Sequence, residues 1–168
     1  MKRYPMIEYI KRGPWNEIDT PFEALIPLLP YLPRKWDYWE SAYGRGVLAS
    51  HLQAEGLNVV GDKQWDYFEG TPAHPMFAWN CQLTNPPYSI KGRWIVRACE
   101  LGKPWALLVP ITTLGIGKIQ EYLDGCEIIL LPRRIDFTGG GAPWFPVMWL
   151  TKGLNIGRGV IAPGGSMK

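Results

Sequence analysis

The sequence has few cysteines, only two histidines and no long hydrophobic run. These shortages argue against a metal site and against a membrane-spanning segment. Cys81, Cys99 and Cys126 lie in apolar surroundings without the spacing of metal ligands, so we expect reduced core cysteines and no metal site. No apolar run approaches the ~20 residues that cross a membrane, and the first residues lack the apolar core of a signal peptide. These features predict a soluble cytoplasmic protein with no membrane partner.

Net charge is also low, because 18 basic and 15 acidic residues leave a formal value of +3. This balance permits a polyanionic partner without requiring one. Aromatic residues, in contrast, are abundant: nine Trp, eight Tyr and five Phe supply rings for packing and for stacking on flat ligands. The 168 residues fit one domain, which we expect over residues 19–152, between an N-terminal arm (1–18) and a C-terminal tail (153–168).

Short apolar strands alternate with helices along the chain. After a first helix from Pro21, the predicted helices are GVLASHLQAEG, IKGRWIVRACELG and KIQEYLDG, and the predicted strands are DYWESA, LNVVGD, FAWNCQLT, WALLVP, CEIILLP and WFPVMWL. This alternation predicts an α/β protein with a mostly parallel, twisted sheet and helices on both faces. Because ligands bind outside the carboxyl ends of such strands, the loops at that edge are the candidate site.

The first of these loops is rich in glycine. Glu40 ends a strand, and Gly44 and Gly46 open the next helix, where the backbone can approach a ligand closely and free N–H groups are available. Glycines are also common in turns of this kind for structural reasons alone. The spacing is not G-x-G-x-x-G, so a dinucleotide is not the favoured ligand.

Two acidic residues follow in the next loops. Asp62 ends a strand at about the distance after the glycines, ~20 residues, at which an acid often accepts hydrogen bonds from a ribose. Asp66, beside Tyr67 and Phe68, can accept from an exocyclic amine next to apolar rings. For both acids an ordinary turn is the alternative.

The stretch from Asn85 to Tyr88, N-P-P-Y, forms a stiff turn at a strand end. Proline locks φ and removes a backbone donor, and the residue before a proline is biased to an extended conformation. The turn therefore presents the Asn85 amide, free carbonyls and one aromatic ring in a rigid arrangement.

Taken in order, these motifs resemble the S-adenosylmethionine-dependent amino-methyltransferases, above all the small phage-type DNA adenine-N6 methyltransferases. The resemblance runs from about Thr20 to Leu150 and implies a Rossmann-like methyltransferase fold in a bacterial or phage-infected host cell. With S-adenosyl-L-methionine as cofactor, the implied cofactor-binding residues are Thr20, Pro21, Glu40, Ala42, Gly44, Gly46, Asp62, Asp66, Phe68 and Asn85. The implied catalytic residues are Asn85, Pro86, Pro87 and Tyr88.

The resemblance also implies how the turn works on a poor nucleophile. The Asn85 oxygen and the Pro86 carbonyl would accept the hydrogens of an adenine amine and aim its lone pair at the methyl group, so no general base is needed. Tyr88 would stack on the base, which must be flipped out of a duplex or already single-stranded. Trp144, after a flexible glycine run, would close over it, whereas Phe145 fits core packing better.

Arg45, between the two glycines, departs from the small or acidic residues usual there, and the chain shows no separate target-recognition domain. We expect nucleic acid, foremost DNA, as the partner, and a partner subunit is one candidate source of target recognition. The expected contacts to the nucleic-acid backbone are Lys91, Arg93, Arg133 and Arg134.

Other functions remain open. The same turn serves methylation of RNA bases and of protein glutamine, since each offers a flat, deactivated nitrogen. The basic residues Lys91, Arg93 and Arg97 favour nucleic acid. A non-catalytic protein that only binds the cofactor is the alternative from another class, and the intact Asn85 counts against it.

Overall fold

The computed structural model describes residues 18–61, 67–68, 78–157 and 160–161. Almost the whole of the predicted N-terminal arm, together with Asp62 and Asp66, lies outside these residues. No helix in the described part of the chain is long and apolar enough to cross a membrane.

The described strands form one seven-stranded mixed sheet. The strands are β1 (Asp37–Trp39), β2 (Asn58–Val60), β3 (Cys81–Thr84), β4 (Trp105–Pro110), β5 (Glu127–Leu130), β6 (Val147–Lys152) and β7 (Val160–Ile161). Their order is β2-β1-β3-β4-β6-β5-β7, and β6 alone runs antiparallel to its neighbours, β4 and β5. The other pairs are parallel, so β1 to β4 all end at one edge.

Three α-helices lie among the described residues: α1 (Phe22–Leu25), α2 (Val47–Ala54) and α3 (Lys91–Glu100). The prediction of an α-helix over KIQEYLDG was wrong, because Gly117–Tyr122 forms a 3-10 helix. That segment is only six residues long, begins at Gly117 and follows Gly115, so low helix propensity and short length disfavour an α-helix there.

The helices cover both faces of the sheet. Consecutive residues of β4 point to opposite faces, and accordingly Leu107 and Leu108 belong to two separate apolar clusters. The first cluster contains buried residues of α1 and α2, and the second contains Trp94 and Ile95 of α3. This arrangement confirms the predicted α/β fold class.

The predicted C-terminal tail is described only in part. Leu154 and Ile156 are buried, and the Glu127 carboxylate accepts the backbone N–H groups of Ile156 and Gly157 at 2.9 and 3.1 Å. Val160–Ile161 then pairs with β5. The chain therefore continues to pack on the sheet beyond residue 152.

Candidate functional site

The glycine turn lies between β1 and α2 and is held by an aromatic ring. Gly44 and Gly46 have φ of 51° and 77°, the left-handed region that glycine adopts without strain. A Cβ on Gly46 would lie 2.9 Å from the Tyr43 ring. The same ring and the Glu40 carbonyl oxygen would meet a Cβ on Gly61, at 2.9 and 2.7 Å. Sequence reasoning missed Tyr43 and Gly61, which close this turn against the end of β2.

Glu40 is buried at the end of β1, with 2% of its surface exposed. Its Oε1 accepts the Thr84 hydroxyl and, at 3.2 Å, the backbone N–H of Ala42, which also donates to Thr84 Oγ1 at 3.0 Å. Its Oε2 is buried without a hydrogen-bond partner in the described part of the chain. Burial raises the pKa of Glu40 to about 8, although both hydrogen bonds oppose the shift. Because burial disfavours the charged form, a cation bound at Oε2 would favour ionisation of this carboxyl.

Asn85 directly follows Thr84, the residue whose hydroxyl bonds to this acid. Its side-chain oxygen is buried and has no hydrogen-bond partner among residues 18–61, 67–68 and 78–157. Pro86 and Pro87 are both buried, and the chain then turns through the 3-10 helix Tyr88–Ile90, where Ile90 N–H donates to the Pro87 carbonyl at 3.1 Å. The turn and the glycine loop thus lie together at the carboxyl edge.

The aromatic residues near this turn differ in exposure. Tyr88 is half-buried and meets Phe145 edge to face, with ring centroids 6.0 Å apart. Its hydroxyl is buried without a partner in the described chain, and burial raises the pKa of Tyr88. Phe145 is 8% exposed and belongs to the core, whereas Trp144 is 77% exposed. Of the two candidates for covering a base, Trp144 is therefore the accessible one.

The glycine-rich loop before Trp144 is held by hydrogen bonds to one carboxylate. Asp136 accepts the backbone N–H groups of Thr138, Gly139 and Gly141 at 3.0, 2.9 and 2.9 Å. These hydrogen bonds lower the pKa of Asp136. The expectation of a flexible glycine run overlooked this carboxylate, although an Asp just before glycines is a recognisable turn signal.

The segment before α1 lies next to the glycine turn. Thr20 is buried, and Pro21 precedes the helix in an extended conformation. The neighbouring Asp19 forms an ion pair with Arg45, whose Nε donates at 3.0 Å. Arg45, the residue that departs from the usual glycine loop, therefore ties residues 19–21 to that loop.

On the other side of β1, the D-Y-F stretch is described only at Tyr67 and Phe68. Tyr67 is buried, stacks on Trp94 at 4.1 Å and reaches the Gln82 Oε1 with its hydroxyl at 3.2 Å. Phe68 is half-buried, and the Arg93 guanidinium lies over its ring, with Cζ 4.6 Å from the ring centroid. The roles of Asp62, Asp66 and Phe68 toward a cofactor stay predictions.

The four basic residues expected at a nucleic acid have different surroundings. Lys91 donates to the Tyr88 carbonyl at 3.1 Å, and burial lowers its pKa. Arg93 is exposed over Phe68. Arg133 is paired with Glu23 at 2.8 Å, and Arg134 contacts the Pro143 carbonyl at 3.4 Å. Lys91 and Arg93 thus flank the turn, while Arg133 already has an acidic partner.

Comparison with known proteins shows the fold. The structure is similar to the methyltransferase subunit of a type I restriction-modification system from Streptococcus thermophilus, with a TM-score of 0.53 and 14% identity over 81% of this chain. The chain spans 44% of the length of that subunit. A predicted O-methyltransferase from Agrobacterium tumefaciens shows a TM-score of 0.45 and 16% identity, covering 84% of each chain.

No protein-family model matches the sequence, and no curated protein sequence is significantly similar to it. The structural likeness to the Streptococcus thermophilus subunit covers 81% of this chain, whose described strands form the seven-stranded sheet. The chain has a Rossmann-like methyltransferase fold.

Proposed function

We propose that the protein transfers a methyl group from S-adenosylmethionine to an exocyclic amine, adenine N6 in DNA. The observation that carries the proposal is the side-chain oxygen of Asn85, which is buried without a partner in the described chain. A buried acceptor that lacks a donor destabilises the protein by about 1–3 kcal/mol. An amine hydrogen of the target would satisfy it.

The residues on the cofactor side fit a ligand that carries an ammonium group and a polar chain. Glu40 Oε2 is a buried carboxyl oxygen without a donor in the described residues, and it would pair with the methionine ammonium of the cofactor. Gly44 leaves its backbone open to a ligand, whereas the space beside Gly46 is filled by the Tyr43 ring. Thr20 and Pro21 would lie along the same part of the ligand, because Asp19, the residue before them, pairs with Arg45 between the two glycines.

The remaining cofactor contacts belong to the proposal through the resemblance alone. Asp62 would hold the ribose, and Asp66 with Phe68 would hold the adenine. When bound, the cofactor supplies an electrophilic methyl group on a sulfonium centre.

The chain's own part in the chemistry is positioning. Asn85 and the Pro86 carbonyl would accept the two hydrogens of the amine, which favours a pyramidal nitrogen whose lone pair points at the methyl group. The surplus proton on the product nitrogen leaves to solvent, so no side chain needs to act as a base. Tyr88 and Trp144 would hold the flipped base between rings.

Two cations beside the turn support nucleic acid over protein as the substrate. Lys91 and Arg93 lie within eight residues of Asn85 at the start of α3, where they would contact phosphates and fix the position of the strand. Phosphate contacts carry no sequence information, so we also propose that a partner subunit supplies target recognition.

Incubation of the purified protein with methyl-labelled cofactor tests the proposal in three arms: adenine-containing DNA, RNA and protein. We expect label in DNA, recovered as N6-methyladenine after digestion. Label in RNA, or on glutamine in protein, would show that DNA is not the substrate but would leave the proposed role of the Asn85–Tyr88 turn in place. Cofactor binding without transfer would support the non-catalytic alternative, and absence of cofactor binding would refute the proposal.

A further inference from the structure

Side chains join β1 and β3 beyond the point where their backbone pairing stops. The last backbone pair is Trp39 with Gln82. Beyond it, the Gln82 amide donates to Ser41 Oγ at 2.8 Å, and the Thr84 hydroxyl bonds to both Glu40 and the Ala42 N–H. Thr84 itself is completely buried. These two side chains therefore hold the glycine loop against the turn that begins at residue 85.

The direction of the Thr84 hydrogen bonds follows from its partners. The Ala42 N–H can only donate, so the hydroxyl oxygen accepts from it at 3.0 Å. The single hydroxyl hydrogen is then left for Glu40 Oε1. Only a hydroxyl residue does both at this position, since a valine of the same shape would do neither.

We propose that Thr84 is a positioning residue that sets the Glu40 carboxyl and the Asn85 turn relative to each other, so that one hydroxyl serves both pockets. This inference rests on the proposed function of the site. A residue of the cofactor pocket alone would change only cofactor affinity, and a residue of the turn alone would change only the rate of transfer. Thr84 should change both, because it touches the acid and precedes Asn85 directly.

Two pairs of proteins differ chiefly by the hydroxyl group at position 84. The first compares the parent with Thr84→Val, and the second compares Thr84→Ser with Thr84→Ala. The dissociation constant for S-adenosylmethionine is measured by calorimetry, and single-turnover transfer to single-stranded DNA is measured at saturating cofactor. In each pair, loss of the hydroxyl should weaken binding at least about tenfold and slow transfer at least about tenfold, the scale of leaving one partner of a buried hydrogen bond unsatisfied. Thr84→Ser should behave like the parent.

Thr112→Val, an exposed threonine after β4, is the control and should leave both quantities unchanged. Hydroxyl-free variants that match their partners, or that change only one of the two quantities, would overturn the inference. Failure of both hydroxyl-free variants to fold would also overturn it, because the hydroxyl would then support the fold and not the site. A parent that neither binds the cofactor nor transfers methyl would instead refute the proposed function.

Discussion

Gly61 lies so close to Glu40 that a methyl group on it would be 2.7 Å from the Glu40 carbonyl oxygen. The two residues follow β2 and β1, which are adjacent parallel strands, and the Glu40 N–H donates to the Val60 carbonyl at 2.9 Å. The backbone of Glu40 therefore packs closely against the loop after β2, and only glycine at position 61 leaves room for it.

Gly61→Ala should destabilise the protein, because the clash is with backbone and with the Tyr43 ring, neither of which can move freely. We expect a loss of about 1–3 kcal/mol in the free energy of unfolding, the usual scale for overpacking. Urea unfolding measures it. Gly115→Ala is the control, since a Cβ there would meet nothing within 4 Å, and an equal loss in both variants would contradict the explanation.

Glu40 should make stability depend on pH. In the folded protein it keeps its proton to about pH 8, whereas in the unfolded chain it ionises near 4.5. Between these values the folded state holds one more proton at this residue, so the contribution of Glu40 to stability is full below pH 4.5 and is lost as the pH rises toward 8. Relative to Glu40→Gln, the parent should lose about 1.4 kcal/mol for each pH unit in this window.

Urea unfolding of both proteins from pH 5 to pH 8 measures this difference, and titrations common to both cancel. Glutamine keeps the Oε1 acceptor for Thr84 and Ala42 and removes only the ionisation. Stability curves that run parallel for the two proteins would show that Glu40 has an ordinary pKa.

Asn85→Ala should reduce methyl transfer by roughly 10²–10³-fold, as loss of one preorganised polar group at a reacting centre does. Cofactor affinity should change little, because Asn85 is assigned mainly to the target amine. Asn85→Asp keeps an acceptor and should retain partial activity. Single-turnover transfer and a cofactor titration separate these effects.

The matched control for Asn85 is Asn80→Ala, since Asn80 lies at the opposite end of β3 and accepts the Asp37 N–H at 2.8 Å. It should transfer methyl nearly as the parent does. Transfer at the parent rate by Asn85→Ala would refute the mechanism. Loss of cofactor binding would show that Asn85 contacts the cofactor and not the target amine.

Trp144→Ala and Phe145→Ala should have opposite consequences although the residues are adjacent. Trp144 is 77% exposed, so its removal should leave stability unchanged and weaken binding of single-stranded DNA by about 1–3 kcal/mol, the scale of one stacked base. Phe145 is 8% exposed, and its removal should lower the free energy of unfolding by about 3–5 kcal/mol. Fluorescence titration and urea unfolding provide the two measurements, and unchanged DNA binding by Trp144→Ala would remove this residue from the site.

Asp136→Ala should loosen the glycine loop, because three backbone N–H groups lose their acceptor. Hydrogen exchange of residues 138–142, followed by mass spectrometry, should become faster while exchange in β6 stays the same. Asp124→Ala, at another exposed turn, serves as the control. Unchanged exchange in the loop would show that Asp136 does not restrain it.

The sequence by itself determined the α/β class and the strand ends at which Glu40, the two loop glycines and Asn85 lie. These features depend on local causes: the apolar alternation of short strands, the φ values open to glycine and the stiffness of consecutive prolines. Even a local pattern was misleading over KIQEYLDG, because the apolar residues of so short a segment do not outweigh the low helix propensity of the glycines at its start.

Only the tertiary structure decided which distant residues meet. Thr84 reaches Glu40 across 44 positions of sequence, Arg133 pairs with Glu23 across 110, and β6 inserts between β4 and β5. Neither the raised pKa of Glu40 nor the lack of a partner for the Asn85 oxygen among the described residues is visible in the sequence, since both arise from burial. Burial depends on how the strands and helices pack together, and no short stretch of residues carries that information.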